Sequence, residues 1–161
     1  MDRQKLLRIY VQDHFAGSTV GLNLARRSAG ANRGTTYGDD LARIADEIDQ
    51  DRQTLEAITA QLDIPRDQVK NTLARGLELA GRLKLNGQLT GYSPLSRLVE
   101  LEGLITGISG KISLWRALLE LVPQEPRLDA ERLQQLIERG EEQRRTVEEL
   151  RTRAVRDAFV G

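Results

Sequence analysis

Apolar side chains recur every three or four residues through four long stretches of this chain, and glycine or proline separates the stretches. That spacing marks one face of a helix with a 3.6-residue period, and it leaves no stretch that reads as a sheet. The first helix is expected over residues 2–29, with Leu6, Tyr10, Gly17, Val20, Gly21 and Leu24 along one face. It stops in Ser28-Ala29-Gly30-Ala31-Asn32-Arg33-Gly34, where small residues and glycine suit a helix end. The second begins after Thr35-Thr36-Tyr37-Gly38 and runs to Leu62, with Leu41, Ile44, Ile48, Leu55 and Leu62 as its stripe.

Pro65 breaks the chain and opens a connecting helix, expected over residues 66–84 with Val69, Leu73, Leu77, Ala80 and Leu83 on its apolar side. Asn86-Gly87 is a hairpin signal, but the stretch is short and has no sheet partner, so residues 85–92 are expected as a loop. Ser93-Pro94 starts the next helix, which runs to Val122 and is the most apolar. Leu98, Leu101, Leu104, Ile105, Ile108, Ile112, Trp115 and Leu119 form its buried face, and Gly103, Gly107 and Gly110 cluster on another side. Pro123 and Pro126 stop it. Asp129 caps the last helix, which runs to Phe159, and Leu128 and Leu133 are placed for a hydrophobic staple.

Short breaks force antiparallel hairpins, helix one with two and helix three with four. The long middle segment must then carry the chain back along the bundle, and at about 1.5 Å per residue a helix of its length covers about 30 Å. The fold class expected is therefore all-α: a four-helix bundle of two antiparallel hairpins with an additional helix in the crossover, residues 1–161 forming one domain.

Charge and composition narrow the function. Lys plus Arg and Asp plus Glu both number 24, so no net charge draws the chain to nucleic acid or to an anionic membrane. Aromatic residues are only 4%, too few for base-stacking platforms. With no cysteine there is no disulfide and no thiol chemistry, and no apolar run is long enough to span a bilayer. The expected location is the cytoplasm. Gly110-Lys111 lacks the serine or threonine, the earlier glycine and the preceding strand of a phosphate loop. Ser18 and Thr19 have no basic partner at a recognisable spacing, so no catalytic residue is assigned.

The run from Asp40 to Arg52 resembles the second helix of the ferritin-like superfamily, and the whole chain resembles a bacterial family of such bundles with degenerate metal-ligand positions. The resemblance implies a Glu-x-x-His pair on helices two and four for a di-iron centre. The matching spacings here read Asp49-x-x-Arg52 and Glu141-x-x-Arg144, and Asp13 and Glu102 would stand for the lone carboxylates of helices one and three, with His14 and Glu100 as neighbouring candidates. Guanidinium stays protonated and coordinates no cation, and the chain has one histidine, so no metal and no cofactor are expected.

Those inward positions instead suggest a buried polar cluster of Asp13, His14, Arg52, Glu102 and Arg144, with an Asp13–Arg52 ion pair inside the bundle. Glu100 and Glu102 themselves read as solvated residues at the edge of the apolar face. Gly17, Gly21, Gly103 and Gly107 read as sites of close helix packing. The function expected is non-catalytic: a metal-free structural or protein-interaction module with an unknown protein partner or a second copy of itself. Two alternatives stand beside it, a ferritin-like metal-binding oxidoreductase or storage protein, and a bundle binding a small apolar ligand between helices one and three where glycine removes side-chain volume.

Overall fold

The structure, a computed structural model, describes residues 2–65 and 91–160. Four helices account for most of them: α1 Arg3–Ala31, α2 Gly38–Gln61, α3 Pro94–Leu121 and α4 Ala130–Phe159, with no strand among the described residues. The connecting helix expected over 66–84, and most of the loop expected over 85–92, lie outside the described residues.

Each boundary has a local cause. Asp2 caps α1 by accepting from the Gln4 amide. Ser93 caps α3 by accepting from Ser96, with Pro94 in the first turn, and Asp129 caps α4 by accepting from Arg132. Such caps satisfy amides that no earlier carbonyl reaches and contribute about 1 kcal/mol each. The turn between α1 and α2 depends on two glycines. Gly34 has φ 78°, and a Cβ on Gly38 would lie 2.7 Å from the Asn32 carbonyl oxygen.

Cross-helix contacts fix the directions. Leu24 of α1 meets Gly103 of α3, and Arg27 pairs with Glu100, so α1 and α3 are antiparallel. The Tyr37 hydroxyl at the start of α2 donates to Asp157 near the end of α4. Arg127, just before α4, donates to the Gln61 carbonyl at the end of α2. α2 and α4 are therefore antiparallel too, as are the hairpin pairs α1–α2 and α3–α4. Tyr37 also faces Arg97 in the first turn of α3, which makes α2 and α3 run the same way on one diagonal. Helices α3 and α4 pack most extensively, α1 packs on both α2 and α3, and α2 and α4 stand farther apart.

The core fills the centre. Leu41, Ile44, Leu101, Leu104, Leu114, Trp115, Leu118, Leu133, Leu136 and Leu150 are all buried, each full burial being worth about 1.5–3 kcal/mol. The expected stripes of α2 and α3 match this core, with Ile105 and Leu119 partly buried at its edge. Helix α1 is different. Its core face is Val11, Phe15, Leu22 and Ala25, whereas Leu6 and Tyr10 of the expected stripe are exposed. Of the remainder of that stripe, Gly17, Gly21 and Leu24 point toward α3, and Val20 is half-buried. Helix α1 packs on two neighbours, so it carries two apolar faces, and the glycine face is the secondary one. No described helix is long and apolar enough to cross a membrane.

Candidate functional site

A cavity of about 320 Å³ lies among α1, α2 and α3. Helix α1 contributes Asp13, His14, Gly17, Ser18 and Gly21, and α3 contributes Gly103, Gly107, Gly110 and Lys111 on the facing side. Ile48, Asp51, Arg52 and Leu55 of α2 close the third side, and Leu104, Ile108, Leu114 and Trp115 complete an apolar lining.

Glycines make this space. A Cβ on Gly17, Gly21, Gly107 or Gly110 would meet nothing within 4 Å, so these positions border open volume instead of a touching helix. That corrects the expectation of close packing at Gly17, Gly21 and Gly107. The helices do close at one level, where a Cβ on Gly103 would lie 2.9 Å from Leu24 Cδ2. Among the described residues the tightest glycine contact between helices is elsewhere, at Gly140 of α4, where a Cβ would lie 2.7 Å from Ile112 Cγ1.

The expected polar cluster divides. Asp13, His14 and Arg52 all border the cavity, but Asp13 is exposed and makes no ion pair with Arg52. The Arg52 guanidinium instead lies 4.8 Å from the Phe15 ring centroid, with Nε donating to Thr19 Oγ1 at 3.4 Å. His14 is half-buried with its ring edge-on to Tyr10. Burial lowers its pKa below the ordinary 6.5, against the pull of Asp13.

Glu102 and Arg144 are exposed and do not join the cluster. Arg144 pairs with Glu141 on its own helix, and Glu102 lies 4.0 Å from Arg151. Glu100, expected as a solvated edge residue, is buried. It accepts from the Tyr92 hydroxyl at 3.0 Å and lies 2.9 Å from Arg27 Nε.

The polar centre of the bundle falls on residues that the ferritin comparison passes over. Asp51 is 1% exposed, with Lys111 on one carboxylate oxygen and Arg139 on the other. Lys111 Nζ donates to Asp51 Oδ2 and to Gln143 Oε1, each at 2.5 Å. Gln143 is fully buried and turns its amide nitrogen to Glu47 at 3.0 Å. Burial lowers the Lys111 pKa, while the Asp51 charge pulls it back up. Asp49 and Glu141 are half-buried away from this centre, Asp49 paired with Arg26 and Glu141 with Arg116. At about 100° per residue, the two positions from Asp49 to Asp51 turn a side chain to the opposite side of its helix.

Geometry limits the chemistry. Among the described residues no group of three His, Cys, Asp or Glu side chains is placed to hold a metal ion. Two cations already occupy the Asp51 oxygens, so an added cation there would meet repulsion before it met a ligand. Trp115 is 1% exposed, and its indole Nε1 has no acceptor among the described residues. Trp115, the only tryptophan of the chain, borders the cavity. Against protein-family models, curated proteins and solved structures, the chain finds no match.

Proposed function

We propose that this chain is a non-catalytic helical bundle that holds a small, largely apolar molecule between α1, α2 and α3. The observation that carries this reading is the glycine-bordered cavity. Gly17 and Gly107 are exposed and Gly21 and Gly110 half-buried, so the space is a cleft open to water, and the four glycines leave room in it for an apolar chain. Its volume lies within the range of small-ligand sites, and its walls are mostly apolar with a few polar groups. A ferritin-like frame is supported by α2 and α3 running parallel, which is the direction a long crossover between two hairpins requires. A metal-storage or oxidase role is disfavoured by the lysine and arginine on Asp51.

Titration with 1-octanol tests the reading. The Trp115 emission should shift and saturate at one equivalent, and Gly107→Leu should abolish the change while leaving the fold intact. An unchanged emission in the wild-type protein, or equal binding by Gly107→Leu, would overturn it. The scaffold reading has its own support in Leu6, Ile9 and Tyr10, exposed together at the start of α1. It predicts a homodimer in sedimentation velocity that Ile9→Glu disperses.

A further inference from the structure

Resting on the ligand-binding reading, we propose that the molecule is an amphiphilic carboxylate, its apolar tail in the glycine-bordered cavity and its head on the Arg52 guanidinium. The charges bordering the cavity carry the argument. Asp51 is balanced by Lys111 and Arg139, and Asp13 is exposed to water. Arg52 is half-buried and, among the described residues, joins no ion pair. Its hydrogen bonding there is one long contact from Nε to Thr19, which leaves the N–H groups of both terminal nitrogens for an acceptor.

The guanidinium carbon makes a cation–π contact with Phe15 at 4.8 Å from the ring centroid, and a planar fork of donors matches a carboxylate in two parallel hydrogen bonds. An arginine held in place before binding loses less freedom when the ligand arrives. One uncommitted cation balances one negative charge, and the nearby Asp13 disfavours a dianion. The volume, about 320 Å³, admits a chain of octanoate's size.

The test compares octanoate, 1-octanol and octylamine at pH 7.5, read from the Trp115 emission of the full chain. Octanoate should bind at least tenfold more tightly than octanol, and octylamine more weakly than either. Raising salt should weaken octanoate and leave octanol unchanged. Arg52→Gln should remove the preference for octanoate without changing octanol binding, and Arg52→Lys should restore only part of it. If octanol binds and octanoate binds no better, the cavity reading stands and the carboxylate assignment is wrong. The carboxylate assignment also fails if Arg52→Gln keeps the preference. If neither octanol nor octanoate binds, both proposals fall. The wild-type comparison decides the matter even if an Arg52 variant does not fold.

Discussion

Removing the Asp51 side chain would leave Lys111 and Arg139 facing each other in the interior without their shared counter-ion. An uncompensated buried charge costs far more than a surface pair contributes, so Asp51→Ala should destabilise the bundle by about 3–5 kcal/mol in urea unfolding. A loss below about 1 kcal/mol would mean that both cations reach water. His14 makes a smaller contribution with a defined sign. Its folded pKa lies below 6.5, so the unfolded chain binds the proton more readily. The stability gained from neutral His14 is present above pH 6.5 and is lost as pH falls through the folded pKa. His14→Gln should therefore melt with a flatter pH dependence than wild type between pH 7 and 5.5, and parallel curves would contradict the assignment.

Asp51 was also legible in the sequence at this scale. Leu41, Ile44, Ile48, Asp51, Leu55, Ile58 and Leu62 alternate steps of three and four, so the aspartate occupies a seam position that should be apolar. Lys111, between Ile108 and Trp115, and Gln143, between Gly140 and Val147, break their seams in the same way. The stripe expected for α2 skips Asp51, and the spacings that resemble the ferritin-like superfamily fall two positions from Asp51 and Gln143, at Asp49 and Glu141.

Elements were the most legible level. Helix ends follow from Asp2, Ser93-Pro94, Asp129 and the Gly34–Gly38 turn, because caps and glycines act locally. The face of α1 was harder, since two apolar sides compete on one helix and only the neighbours decide which is central. The glycines were ambiguous for a related reason. Small residues at regular spacing permit close contact but do not require it, and here α1 and α3 meet at Leu24 and Gly103 while leaving open volume at Gly17 and Gly107. Gly17→Ala and Gly107→Ala should each stabilise the protein by about 0.5–1 kcal/mol, the ordinary helical gain of alanine over glycine. Gly140→Ala should give no such gain, because the new methyl would press on Ile112 Cγ1 at 2.7 Å. Thermal melts of the three variants check the contrast. A stabilised Gly140→Ala would show that Ile112 yields easily.

For the whole molecule, helix direction follows from the order of short and long connections, whereas the cavity does not. Its volume depends on how far α1 and α3 diverge beyond the Gly103 level, a property of three helices together that no single periodicity encodes. The same geometry separates two roles within one bundle. The lysine–aspartate–glutamine–arginine centre links α2, α3 and α4 where α2 and α4 stand apart, while α1 completes a wall around open space. The measurement that tests this account most directly is a crystal structure grown with 1-octanol. The account predicts density for one ligand bounded by Gly17, Gly21, Gly107 and Gly110, in contact with Trp115. A close-packed interior there, with α1 drawn against α3 and no ligand density, would contradict it.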